Sequence, residues 1–209
     1  MNLEKEKELF NNGNSLIAAI DEVGRGPLAG PVVSACVIID KNFEITPDLE
    51  KVRDSKKLSA KNRQELFSII KNNVKAVEIG VCNHQIIDKV NILQATFISM
   101  QKALLKTNLN PDIILVDGKF SIPKIKIPQQ AIISGDNSVF SIAMASIIAK
   151  VSRDFMMEKF HQQYPQYGFD KHKGYGTKFH MEMISLYGPC PIHRLSFAPF
   201  SIKPEKIKQ

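Results

Sequence analysis

The sequence predicts an α/β fold: a five-stranded mixed sheet flanked by helices, with a helical extension at the C-terminal end. Three observations carry that expectation. Five short runs of apolar and β-branched residues read as strands. The first three runs are joined by a short loop or by a single helix, which suits an antiparallel start. Two long segments carry apolar residues at spacings of three and four, the mark of a helix with one buried face. With 209 residues, 44% of them hydrophobic, the chain can bury one good core, and it has no internal repeat. A single domain over 1–209 is expected, with its core at about 15–162 and a helical or irregular part over 163–209.

The elements follow in order. Residues 1–13 (MNLEKEKELFNNG) are charged and helix-like. Residues 16–20 (LIAAI) read as a buried strand and 32–40 (VVSACVIID) as a second. Between them GRGPLAGP (24–31), with three Gly and two Pro, demands a loop. Residues 59–73 read as a helix with Ser59 as its N-cap, and 76–82 (AVEIGVC) as a third strand. Over 84–106, Ile86, Ile87, Val90, Leu93, Phe97, Met100 and Leu104 line one face of a single amphipathic helix. Residues 112–116 (DIILV) give a fourth strand that ends at Asp117-Gly118. A fifth lies within 125–134 (IKIPQQAIIS), where Pro128 limits its pairing. Residues 138–160 form a long helix with Ile142, Ala145, Ile148, Ser152 and Phe155 on one stripe, and Asp154 can pair with Lys150 one turn back. Beyond Tyr164 the chain turns polar, aromatic and basic, as a surface segment would. Residues 177–188 are a short helix ending at Gly188 before Pro189, and the final KPEKIKQ is a loose basic tail.

Composition narrows the function. No apolar run reaches the ~18 residues of a membrane-spanning helix, and the charged N-terminal stretch lacks the apolar segment of a signal peptide, so a cytoplasmic protein is expected, with no membrane partner. Cys36, Cys82 and Cys190 form no pair motif and are expected to be free, mostly buried thiols. Cys190 and His193, in CPIH, come near a ligand spacing, but one Cys and one His cannot close a zinc site. His161, His172, His180 and His193 are scattered and expected as surface or hydrogen-bonded side chains. A net charge of +7 and a pI of about 9.3 suggest a polyanionic partner, nucleic acid before membrane.

Against that basic background stand Asp21-Glu22, Asp117 and Asp136, each at the end of an apolar segment or the start of a helix. Carboxylates converging on one spot repel each other and draw in divalent metal. Two magnesium or manganese ions about 3.5–4 Å apart can activate a water and stabilise a leaving oxygen in phosphodiester cleavage. Asp21 and Glu22 are strand neighbours that point to opposite faces, so both reach one site only if the strand ends or bulges there. Taken singly, Asp117 before Gly118 is a common turn, and Asp136-Asn137-Ser138 an ordinary helix start. The loop at 24–31 matches neither the dinucleotide-binding glycine pattern nor the P-loop, but its glycines would let backbone come close to a sugar-phosphate strand.

Six motifs together resemble one family. AAIDEVGRGPLAGPVV, DSKKLS (54–59), IDKVNILQATFISM (87–100), LVDGK (115–119), GDNSVFSIAMASIIAKVSRD (135–154) and YPQYGFDKHKGYGT (164–177) are similar, in order and over about residues 16–197, to ribonuclease HII, the type 2 ribonucleases H. The resemblance implies the ribonuclease H fold and endonucleolytic hydrolysis of RNA in RNA/DNA hybrids. It also implies cleavage beside single ribonucleotides in DNA, with 5′-phosphate and 3′-hydroxyl products. It assigns Asp21, Glu22, Asp117 and Asp136 to the holding of two Mn²⁺ or Mg²⁺ ions, and Gly24-Arg25-Gly26 to sensing the 2′-hydroxyl, the local mark that separates RNA from DNA. Tyr175 resembles the tyrosine that stacks on the sugar after the ribonucleotide, and an exposed Tyr in a basic, Gly-flanked loop is independently a stacking candidate. Its alternative is a tyrosine packed into the C-terminal part. Of Lys56 and Lys57, Lys56 is preferred as a phosphate contact. Arg25 and the short stretch before the first strand favour type 2 over type 3, whose members carry a Lys in that triplet and an extra N-terminal domain. A monomer is expected, with a replication or repair protein as a candidate partner. The rivals are a DNA nuclease of the same fold, which would cut a duplex lacking ribose, and a non-catalytic hybrid-binding protein, which would bind with steep salt dependence and release no product.

Overall fold

The structure is a computed structural model and describes residues 2–52 and 59–201. A helix α1 (Glu4–Asn11) precedes the hairpin of β1 (Leu16–Val23) and β2 (Val32–Asp40). Then come α2 (Ala60–Asn73), β3 (Ala76–Cys82), α3 (His84–Val90), α4 (Ile92–Lys106), β4 (Ile113–Asp117) and β5 (Gln129–Ile132). The chain ends in α5 (Gly135–Ser138), α6 (Phe140–Gln163), a 3-10 turn (Pro165–Tyr167), α7 (Phe169–His172) and α8 (Lys178–Tyr187). The strands form one sheet in the order β3-β2-β1-β4-β5. β1–β2 and β2–β3 are antiparallel, β1–β4 and β4–β5 parallel, so the expected mixed sheet with its antiparallel start is found. Ser59 accepts the Asn62 amide and caps α2 as the sequence indicates.

The central strands are apolar on both faces because both faces are covered. Ile17 and Ala19 of β1, Ala35 and Val37 of β2 and Leu115 of β4 pack with the first half of α6, from Phe140 to Ala149. The alternate residues Ala18, Ile20, Cys36, Ile38, Ile114 and Val116 pack under Phe97, Met100 and Leu104 of α4. This is the period of two applied to a two-sided sheet. β5 is a short edge strand that starts directly after Pro128, where the missing N–H is tolerated.

Four expectations are corrected. The helix over 84–106 is two helices: Asn91 takes φ +68°, and its side chain accepts the Gln94 amide to cap α4. The stripe on α6 holds at Ile142, Ala145 and Ile148, but Phe155 is exposed, and Arg153 and Met157 are buried in its place. There the helix has left the sheet and meets the C-terminal segment instead. That segment is more than a polar surface: Tyr167, Phe169, Ile184, Cys190 and Ile192 gather around Ala29 and Met157 in a small core of their own. Finally, His172, His180 and His193 are hydrogen-bonded as expected, but scattered in sequence they gather into one cluster. His172 stacks on His180 at 4.5 Å, and the Nε2 atoms of His180 and His193 lie 3.0 Å apart. All three cysteines are free and buried. Lys56, Lys57 and the tail lie outside the described residues.

Candidate active site

β1 runs without a bulge through both of its acids to Val23, paired with β2 throughout. The parallel pairing with β4 stops at Ile20↔Val116. The expected end or bulge is thus absent; the neighbouring strand ends instead. Extended by one residue, that register sets Asp21 beside Asp117, the last residue of β4. Asp21 and Asp117 share the face turned to α6, and Glu22, the next residue of β1, is close enough for its charge to act on Asp21 and for that of Asp117 to act on it.

The electrostatics agree with this placement. Burial pushes the Asp21 carboxyl well above the usual range, and the charges of Glu22 and Asp117 push it further. A hydrogen bond from the Ser146 hydroxyl of α6 and one of 2.7 Å from the Glu22 amide act in the opposite direction. Burial also raises Glu22, partly countered by Arg25, whose Nη1 lies 3.1 Å from Glu22 Oε1. Glu22 Oε2 is buried without a hydrogen-bond partner. Asp117 Oδ1 accepts the Gly135 amide at 2.7 Å, which fixes the start of α5 and puts half-buried Asp136 at the next position. Three mutually repelling carboxylates with an orphaned oxygen make a donor set suited to a divalent cation. Among the described residues, no three His, Cys, Asp or Glu side chains are drawn tightly enough to hold an ion as they stand.

The loop after β1 forms the adjoining wall. Gly24 has φ +93°, and a Cβ there would collide with the Arg153 guanidinium and lie 2.8 Å from the Pro31 carbonyl. Arg25 and Gly26 are exposed. A Cβ on Gly26 would stand 3.5 Å from the Tyr175 ring, and Tyr175 is 45% exposed, so the tyrosine lies beside the glycine loop rather than within the C-terminal core.

The sequence-wide profile of ribonuclease HII matches residues 18–200. The chain belongs to the ribonuclease HII family. A ribonuclease HII of Endomicrobium trichonymphae is 48% identical over 194 residues, 93% of this chain and 90% of that one. Among solved structures, the ribonuclease H2 of Pyrococcus horikoshii OT3 superposes with a TM-score of 0.74 at 29% identity, covering 88% of this chain and 95% of the other. The ribonuclease HII of Archaeoglobus fulgidus, solved in complex with PCNA, gives 0.72 at 26% identity over 86% and 92%. The fold is therefore ribonuclease H-like, and the protein is a ribonuclease H, an endonuclease hydrolase acting on RNA/DNA hybrids in a metal-dependent family.

Some residues around this ribonuclease HII site carry no signal in the sequence reading. Ser146 and Arg153 lie on α6, and Arg194 and the three histidines in the C-terminal segment. A charge one residue from Asp154 reads as one more solvated side chain. In the structure Arg153 falls at four-residue spacing between buried Ala149 and Met157.

Proposed function

We propose that the protein also cuts duplex DNA at embedded ribonucleotides, leaving 5′-phosphate and 3′-hydroxyl ends, and so removes misincorporated ribonucleotides and RNA primers. The reading places two divalent cations, magnesium or manganese, on Asp21, Glu22, Asp117 and Asp136. Bound there, the cations would lower the pKa of an attacking water and stabilise charge on the leaving 3′-oxygen. The observation that carries the reading is the exposed Tyr175 ring lying against Gly26, one turn of chain from Glu22. A ring for stacking, a bare backbone loop and a carboxylate notch then line one surface.

Each residue has a part in that reading. The acids hold the cations and do not attack. Gly24 and Gly26 let backbone approach the ribose where a side chain would stand in the way. Tyr175 stacks on the sugar that follows the ribonucleotide, and this placement favours a junction over a uniform strand.

The test is a DNA duplex with one ribonucleotide, incubated with magnesium or manganese, with the cut position and end groups mapped. The wild-type protein cuts beside the ribonucleotide and leaves an all-DNA duplex intact. Asp117→Asn abolishes cleavage but still binds the hybrid; normal cutting by that variant would overturn the carboxylate assignment. Tyr175→Ala loses more on the lone ribonucleotide than on a long hybrid. Equal loss on both would reduce the tyrosine to a structural role.

A further inference from the structure

Two arginines, Arg153 and Arg194, are fully buried beneath the loop at 24–31. Burying a guanidinium is unfavourable unless its donors are all answered, commonly by a carboxylate. Here every described hydrogen bond of both groups goes to a backbone carbonyl. Arg194 donates through Nε to Gly30 at 3.0 Å, through Nη1 to Arg25 at 3.0 Å and through Nη2 to Gly24 at 2.6 Å. Arg153 donates to Pro31 at 2.9 Å, Ala29 at 3.1 Å and Lys173 at 2.9 Å, and so ties the same loop to the segment that carries Tyr175. The two segments also bond directly, Leu28 N–H to the Gly174 carbonyl at 2.8 Å.

The direction of these bonds has a consequence for the loop's other face. In a trans peptide the C=O and the following N–H point opposite ways. With the Gly24 and Arg25 carbonyls drawn inward onto Arg194, the amides of Arg25 and Gly26 face outward. Among the described residues neither amide has an acceptor. Two successive outward amides form a concavity that binds an oxygen.

We propose that Arg194 is the positioning residue for ribose recognition: its guanidinium grips the Gly24 and Arg25 carbonyls and thereby presents the Arg25 and Gly26 amides as a ready pair of donors to the ribonucleotide. The proposal rests on the reading that the loop at 24–26 faces the ribose. A lysine carries the same charge but cannot match the planar fork that reaches three carbonyls at once.

The decisive variant is therefore Arg194→Lys, assayed on the single-ribonucleotide duplex with magnesium. Its kcat/KM falls at least about tenfold, the loss expected when one strong hydrogen bond is misaligned, and the fall lies in kcat. Binding of an all-DNA duplex changes less than about twofold, since no phosphate contact is removed. Guanidinium ion at millimolar concentration restores part of the activity of Arg194→Ala and leaves the wild type unchanged. A folded Arg194→Lys with wild-type kcat, or a loss confined to KM and shared with all-DNA binding, overturns the proposal.

If the variants do not fold, the wild-type protein supplies the test. Titrated in the presence of Ca²⁺, the ¹⁵N–¹H signals of Arg25 and Gly26 shift with the ribonucleotide duplex and not with the all-DNA duplex; signals that stay still with both overturn the role. Failure of the underlying reading looks different, because wild-type protein would then cut all-DNA and ribonucleotide duplexes alike.

Discussion

Asp21 shows how a functional residue works against the fold that holds it. It is buried, flanked by the charges of Glu22 and Asp117, and its carboxyl is held well above its ordinary range. For an acid, a raised value in the folded state means that the ionised form is the unfavourable one. The stability it adds when protonated is present below its unfolded-state value and is lost as pH rises through the folded-state value. Above its unfolded-state value, and without divalent cation, the carboxyl therefore costs the folded protein stability. Asp21→Asn keeps an acceptor for the Ser146 hydroxyl and the Glu22 amide while removing the charge. Its thermal midpoint without metal rises by roughly 2–4 °C, the shift that about 1 kcal/mol makes in a chain of this size, and cleavage is abolished. Added Mn²⁺ raises the wild type and not the variant, and a midpoint that falls instead would refute the account. Asp21-Glu22 was legible in the sequence because two carboxylates between an apolar strand and a glycine-rich loop have little structural explanation, whereas Asp117 and Asp136, readable as a turn and a helix start, needed the motifs around them. Arg153 and Arg194 were not, since an arginine in a helix or a Pro-rich loop ordinarily snorkels to water, and only the inward carbonyls show why these two do not.

At the scale of elements, α6 organises the site, for it carries Ser146 toward Asp21 and Arg153 under the loop. Its own start is poorly equipped: the N-cap residue, Val139, offers no side-chain hydrogen bond. The first amides of a helix need partners from outside it. Glu6 of α1, fully buried, supplies one by accepting the Ser141 amide at 2.8 Å. Glu6 Oε2 and Ser141 Oγ are both buried without a partner. Glu6→Ala removes the cap and lowers stability by about 1–2 kcal/mol, whereas Glu6→Gln keeps the acceptor and stays close to wild type. Urea unfolding of the two variants separates them, and equal stability would mean that α1 holds α6 by apolar packing alone. This tie joins residues 135 positions apart and leaves no trace in local pattern. The strands were readable because each is an apolar run sandwiched between helices. The break at Asn91 was hidden because Ile87, Val90, Leu93 and Phe97 keep their spacing across it, and only the φ of +68° reveals it.

On the scale of the whole molecule, the C-terminal segment is tied within itself by buried histidines that stay neutral in the folded protein well into acid. His193 Nδ1 accepts the Cys190 amide at 2.9 Å, so its Nε2 carries the proton and donates to His180 Nε2 at 3.0 Å. His180 Nδ1–H then donates to the Tyr175 carbonyl at 2.9 Å. The bonds from the Cys190 amide to the Tyr175 carbonyl fit one set of neutral tautomers, and His193 Nδ1 also lies 3.3 Å from the Cys190 carbonyl. Burial pushes His180 and His193 down to about 4, and lowers His172 as well. The unfolded chain, with ordinary histidines near 6.5, binds more protons than the folded one between those two values. Stability is therefore complete above about pH 6.5 and falls as the pH drops toward 4, with a slope of up to about 2.7 kcal/mol per pH unit where both rings contribute. Asp21 opposes this trend, because its protonation stabilises the fold in acid. The two contributions separate in the double variant His180→Gln, His193→Gln, which is less stable at pH 7.5 but loses little more on going to pH 5. Thermal midpoints from pH 7.5 to 5 measure both slopes. Parallel slopes for variant and wild type would show that the histidines are not the acid-sensitive fastening. The Tyr175 carbonyl is the last acceptor in the chain, so protonation of these rings weakens one of the bonds that hold the segment carrying the tyrosine.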